Sequence, residues 1–395
     1  MKIIWLTAEM PYPPNTGGRI AMFRKIEYLS KNNEIYLYSI VDSDTDMNHK
    51  DGLTPYCVEV NLYDRRKELG SVPLKLFKGP YVCVSRWINK MKDDISNCYA
   101  QINPHYVLVD FPQMLGNLTN EILNSGKVVL NLHNIEYLTL RNLSSTYKSR
   151  LMRYAAKIES LRLEIFEENY YKKYNIKLFT FVSTEDKSFF ENKYNKTNTY
   201  LLPIGTEVFP YEKRNTNNHS FNICYFGKMS YPANDEAVTW FVDNVFIKLK
   251  KIIHCAKFYI VGKDPTQNVK ELPQRGDDII VTGTVDDINQ YYNISDLVVI
   301  PLFHGGGVKV KLLEALGHGK LVITTNKGIE GTFFEDGKDL LVANTAEDFL
   351  QLCQAVYQKY EKYEEIKQNG HNTVESHFSW SKIVGQYEED LLRLL

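Results

Sequence analysis

The chain has 395 residues, 44% hydrophobic and 24% charged, with 47 Lys plus Arg against 48 Asp plus Glu and a net charge of −1. That length argues for two domains of an ordinary globular protein, and the lack of a basic excess argues against bulk nucleic-acid binding. Cys57, Cys83, Cys98, Cys224, Cys255 and Cys353 show no C-x-x-C spacing, the opening MKIIWLTAEMPYPP meets proline too soon for a signal peptide, and no apolar run reaches roughly 18 residues; a cytoplasmic protein with reduced thiols is expected.

The apolar run KIIWLTA is followed by the loop EMPYPPNTGG, the helical pattern RIAMFRKIEYLSK and a second apolar run, EIYLYSI, which together read as β–loop–α–β. Residues 106–111 (YVLVDF), 127–134 (KVVLNLHN) and 178–183 (LFTFVS) are short apolar runs of the kind buried on both faces of a parallel sheet. Residues 147–174 read as one long helix. Its interleaved Glu, Lys and Arg favour a solvated face, with contact to anionic lipid at the inner face of the membrane as the alternative. The alternation then restarts with 221–227 (FNICYFG), 257–263 (KFYIVGK), 279–285 (IIVTGTV), 297–302 (LVVIPL) and 321–325 (LVITT). Two series of strands alternating with helices place the chain in the α/β class, with two Rossmann-like doubly wound domains. The polar segment 211–220 (YEKRNTNNHS) is the linker candidate.

The most informative stretch is 303–320, FHGGGVKVKLLEALGHGK. Three glycines do not belong inside a helix, whereas VKLLEAL does, so a glycine loop at the end of a strand candidate leads into a helix. The backbone N–H groups of Gly305, Gly306 and Gly307 can approach an oxygen closely, and Lys309 and Lys311 put cations where a helix N-terminus favours an anion. A phosphate or diphosphate ligand fits that junction. Glu314, one turn on, repels phosphate but can accept two hydrogen bonds from a vicinal diol such as ribose. A flexible loop with a solvated amphipathic helix remains the plain alternative. Gly17 and Gly18 open the first helix, where they either face a ligand or make a tight turn. His133 follows a strand candidate, and for a lone histidine a structural role is the default.

The block PLFHGGGVKVKLLEALGHGKLVITTNKGIEG (301–331) resembles the donor-site signature of family-4 retaining glycosyltransferases (glycosyltransferase group 1) of the GT-B fold. YFGKMSYPANDEAVTWF (225–241), VTGTVDDINQYYNISDLVVIPL (281–302), PYPPNTGGR (11–19) and LHNIE (132–136) resemble further segments of that family, in its order. The resemblance implies a fold with the two domains facing a cleft. It gives an acceptor-side domain at 1–205, a nucleotide-sugar domain at 206–378 and a helix at 379–395, begun by Trp380, that returns to the first domain. It implies donor contacts from Gly17, Gly18, Gly227, Lys228, Val285, Gly305, Gly306, Gly307, Lys309, Lys311, Glu314 and Glu330. His133, Lys228 and Lys311 are implied in catalysis, and Asn15, Arg19 and Glu136 on the acceptor side. Glu136 either orients His133, binds an acceptor hydroxyl or simply opens a helix.

The chain departs from the family pattern in places. Gly306 stands where many members carry a first glutamate, Lys228 where many carry arginine, and PAN (232–234) where a lysine often follows. The reaction implied is retaining transfer of a sugar from a nucleotide diphospho-sugar to a glycan, lipid-linked or protein acceptor, in polysaccharide or glycoconjugate synthesis. Lysines and the glycine loop would carry the leaving-group charge with no metal and no cofactor. The one acidic run of D-x-D type, DSDTD (42–46), reads as a surface loop. A nucleotide-sugar 2-epimerase of the same fold and an inactive partner subunit are the rival readings.

Overall fold

The computed structural model describes residues 1–144, 149–213, 220–304 and 308–395. They form two compact units: Met1–Pro203 with Val384–Leu395, and Ile204–Ile383. The chain changes unit ahead of the polar segment 211–220. Tyr211, at the start of that segment, donates its hydroxyl to Glu364 at 2.6 Å inside the second unit, so it is not free linker.

The first unit is built on seven parallel strands: β1 (Lys2–Thr7), β2 (Glu34–Val41), β3 (Glu59–Asp64), β4 (Tyr106–Asp110), β5 (Val128–Leu132), β6 (Leu178–Phe181) and β7 (Thr199–Leu201). Their order is β3-β2-β1-β4-β5-β6-β7. Every residue of β4 and β5 is buried, because helices cover both faces and leave no polar side to the strands. The order reverses between β1 and β4, which are paired with Ile3 beside Tyr106 and Leu6 beside Val109. Ligands of open α/β sheets bind beyond the carboxyl ends at such a reversal. The terminal helix Trp380–Arg393 gives its last turns to this unit: the Tyr106 hydroxyl donates to Leu391 O at 2.7 Å, and Asn33 Nδ2 donates to Glu388 at 2.6 Å.

The second unit repeats the plan with β8 (Phe221–Phe226), β9 (Ala256–Val261), β10 (Ile279–Gly283), β11 (Leu297–Ile300), β12 (Leu321–Thr324) and β13 (Leu341–Val342), all parallel, in the order β10-β9-β8-β11-β12-β13. The reversal lies between β8 and β11, where Leu297 pairs with Ile223. Every residue of β8 and of β11 is buried, and each large apolar side chain so removed from water contributes about 1.5–3 kcal/mol. The helix Val310–Gly317 follows β11 and buries Leu312, Leu313, Ala315 and Leu316 against this core. Its apolar stripe therefore decides which way Lys311 and Glu314 point.

Candidate functional site

In the first unit, chemistry-bearing side chains gather at the ends of β4 and β5. Asp110, the last residue of β4, is fully buried. It accepts hydrogen bonds from Trp5 Nε1 at 2.5 Å, His133 Nε2 at 2.9 Å and Asn131 Nδ2 at 3.1 Å, and pairs with Lys25 Nζ at 3.4 Å. Burial alone pushes a carboxyl pKa up; here Lys25, His133 and Trp5 outweigh it and hold Asp110 below the usual carboxylate range. A carboxylate only accepts, so His133 Nε2 carries a proton directed at Asp110. His133 also stacks on Phe111, ring centroids 4.4 Å apart. Phe111 sits at φ +73°, a left-handed backbone that costs a non-glycine residue about 1–3 kcal/mol and holds its ring where a relaxed turn would not. The imidazole is thus fixed in tautomer and in plane.

The carboxylate that orients His133 is therefore Asp110. Glu136 opens the helix Glu136–Ser144 and accepts from Gln113 Nε2 at 3.3 Å; desolvation raises its pKa. Gly17 and Gly18 begin the helix Gly17–Leu29, capped by the Thr16 hydroxyl. A Cβ on Gly17 would meet nothing within 4 Å, and one on Gly18 would stand 3.2 Å from the Glu9 carboxylate. Arg19 is held by Asp46 at 2.9 Å and Glu9 at 3.4 Å, while Asn15 bonds through its backbone to Pro13 O.

In the second unit the site lies at the reversal between β8 and β11. Lys311 Nζ donates to Asn234 Oδ1 at 2.5 Å and to the Tyr225 hydroxyl at 2.7 Å, and stands 4.3 Å from the centre of the Tyr225 ring. Asn234 in turn donates from Nδ2 to Lys228 O at 2.8 Å, tying the loop after β8 to the helix after β11. Gly227 fits between them because it lacks a side chain: a Cβ there would lie 2.9 Å from Lys311 Nζ and 2.8 Å from Asn234 Nδ2. Gly262 makes the same kind of approach from β9, with its missing Cβ 1.7 Å from Gly227 O.

Burial lowers the Lys311 pKa to about 7 and raises that of Glu314 to about 7, each opposed by the other's charge. Lys309 is the helix N-cap, with extended backbone at φ −88° and ψ 99°, so the two lysines leave the chain from different local geometries rather than from successive helical positions. Burial also lowers Lys309, countered by Glu330 at 3.9 Å. Glu330 pairs with Lys327 at 2.7 Å, and Lys228 is half exposed, 3.4 Å from Asp264. Val285 follows β10 and packs on the core. Gly305, Gly306 and Gly307 lie outside the described residues. Among the described residues no group of three His, Cys, Asp or Glu side chains is placed to hold a metal ion.

The structure thus brings together Gly227, the Lys228 peptide and Lys311 in one unit, and adds Asn234 and Tyr225, which the sequence reading passed over. In the other unit it supplies Asp110 as the partner of His133. Asn234 stood inside PAN, noted only for a missing lysine; Asp110 stood at the end of a strand and carried no local signal.

Residues 220–359 match the model of Glycosyl transferases group 1. A Klebsiella pneumoniae relative, an uncharacterized 44.6 kDa protein in the cps region, is 24% identical over 357 residues, 87% of each chain. A glycosyltransferase from Rickettsia africae superposes with a TM-score of 0.65 at 14% identity, over 99% of this chain and 98% of that one. Anabaena Alr3699/HepE, solved in complex with UDP, superposes with a TM-score of 0.62 at 15% identity over 100% of both chains. Two doubly wound parallel sheets in one chain are the GT-B architecture, residues 220–359 within it match glycosyl transferases group 1, and the protein is a glycosyltransferase.

Proposed function

We propose that the enzyme is a retaining, metal-independent transferase that moves a sugar from a nucleotide diphospho-sugar to a glycan, lipid-linked or protein acceptor in cell-surface polysaccharide synthesis. The observation that carries this is Lys311, held by Asn234 and Tyr225 at the strand reversal of the second unit. A fixed cation there meets negative charge as it develops on the leaving diphosphate, with no reorganisation at the moment of bond breaking. Lys309 and the exposed Lys228 add to it, and Glu314 takes the ribose hydroxyls. His133, fixed by Asp110, supplies a polar contact to the donor sugar near its reacting carbon. The crystallised UDP complex of Alr3699/HepE supports the donor class, and the cps-region relative supports polysaccharide synthesis. Retention rests on the likeness of 301–331 to the family-4 signature.

Calorimetry against UDP-, GDP-, ADP- and CMP-sugars tests the donor; binding of none of them removes the reading. Glu314→Ala is expected to weaken binding of the preferred nucleoside diphosphate by about 1.5–3 kcal/mol, the worth of hydrogen bonds to a charged group. Unchanged affinity would take Glu314 out of the site. Affinity for an intact nucleotide sugar should also peak near neutral pH. Glu314 binds as a carboxylate, so its contribution fades as pH falls below about 7; Lys311 binds as a cation, so its contribution fades as pH rises above about 7. Glu314→Gln should flatten the acid side and Lys311→Met the alkaline side. His133→Ala should lower kcat far more than donor affinity, and a variant with normal turnover would make His133 structural.

A further inference from the structure

The helix Arg150–Lys173 of the first unit leaves a whole face uncovered. Leu151, Tyr154, Ile158, Leu161 and Ile165, spaced three and four apart on one stripe, are all more than half exposed, and Leu151 reaches 79%. Phe77, 80% exposed, belongs to the same surface, because Arg162 Nη2 donates to Gly79 O at 2.5 Å and to Leu76 O, and Glu159 accepts from Val82 N at 3.1 Å. Phe77 and Ile165 also rim a cavity of about 330 Å³ walled by Trp87, Phe166 and Tyr170. A globular protein seldom leaves so many large apolar side chains together in water without a partner for them.

The charges beside the stripe identify that partner. From Arg150 through Ile158 the helix carries Arg150, Arg153 and Lys157 and no Asp or Glu, and the neighbouring strap adds Lys78, while its Lys75 is turned to Glu68 at 3.3 Å and Trp87 O at 2.8 Å. Two copies of this face laid together would oppose like charges. A bilayer bearing anionic headgroups accepts the apolar side chains below the headgroup level and the cations at it. We infer that this face docks the enzyme on an anionic phospholipid bilayer. The helix was read from its sequence as a solvated face, since its glutamates are interleaved; they begin only at Glu159, which holds the strap, while Glu164 meets Arg141 at 2.6 Å, Glu167 is buried and Glu168 is paired with Lys172. The inference concerns a surface of the first unit and is independent of the donor chemistry.

Flotation of the full chain with vesicles tests it. The protein should float with phosphatidylcholine and phosphatidylglycerol mixed two to one, and not with phosphatidylcholine alone. Ile158→Asp with Leu161→Asp, and separately Arg153→Glu with Lys157→Glu, should each lower the bound fraction at least about tenfold with an unchanged melting temperature, because all four side chains already face solvent. Equal binding to the two vesicle types, or variants that bind like the wild type, would overturn the inference. So would sedimentation showing a wild-type dimer that either substitution pair splits, since the stripe would then belong to a second copy.

Discussion

Alanine at both Lys309 and Lys311 is expected to abolish sugar transfer while leaving the fold intact. The leaving diphosphate gains charge as the bond to the sugar breaks, and removing one preorganised donor from such a site typically costs about 10²–10³ in kcat. Lys311 carries the larger share. Its ammonium is held by Tyr225 and Asn234, so it enters the reaction already aimed, and its burial leaves little water to replace it. Lys309 sits outside the helix on extended backbone and is itself largely shielded, so the single change there should cost less, though still at least about tenfold, or 1.4 kcal/mol. Asn234→Ala should approach the effect of losing Lys311, because it frees both Lys311 and the Lys228 peptide that Asn234 joins. Steady-state kinetics with a radiolabelled donor separates these cases. The wild-type rate should survive EDTA, since the cations belong to the chain. Loss in EDTA, restored by magnesium or manganese, would show that a metal carries the charge.

Asp110→Ala is expected to destabilise the first unit by about 3–5 kcal/mol, the usual cost of stripping one partner from a buried ion pair. Lys25, only 4% exposed, would be left as a buried cation, and Trp5 Nε1 and Asn131 Nδ2 would lose their acceptor. Lys25→Met combined with Asp110→Leu should recover much of that loss, because it removes both charges and fills the space with apolar atoms. Acid provides a second check. The folded-state pKa of Asp110 is depressed, so its contribution is complete above the ordinary value of about 3.9 and is lost as pH falls below it toward the folded-state value. Thermal melts of Asp110→Asn should therefore lose part of the wild type's steep dependence on pH below about 4. The same variant should lower kcat with little change in donor affinity, because His133 then lacks the carboxylate that fixes its tautomer. A fully active Asp110→Asn enzyme with wild-type stability would reduce the cluster to packing.

Much of the architecture was legible in the chain. Strands buried on both faces carry unbroken apolar runs, and β1, β2, β4, β5, β6, β8, β9, β11 and β12 stood out for that reason; β10, a partly exposed edge strand, stood out by its Ile279–Val281 run alone. The strands that did not stand out are β3, β7 and β13. They lie at the edges of their sheets, run to six, three and two residues and are partly exposed, so their composition blends into the loops. The linker reading missed the boundary, which falls between Pro203 and Ile204: Tyr211, the first residue of YEKRNTNNHS, is anchored by Glu364, a contact 153 residues away that local composition does not register, and residues 214–219 lie outside the described residues.

The site divides along the same line. What the sequence by itself determined was the local chemistry: glycines before a helix, lysines at its start, a glutamate one turn on, a histidine after a strand. Each is a short-range pattern, because the backbone conformation that exposes the group is set by its immediate neighbours. What only the tertiary structure decided was which groups face one another. Asp110 meets Trp5 across 105 residues and Lys25 across 85, and Lys311 meets Tyr225 across 86 and Asn234 across 77. Parallel strands bring such distant positions side by side at one sheet edge; the burial created there moves Lys311 and Glu314 toward neutrality, while Lys25, His133 and Trp5 keep Asp110 charged against it. Burial and partnership are properties of the packed unit, and no short stretch of chain contains them.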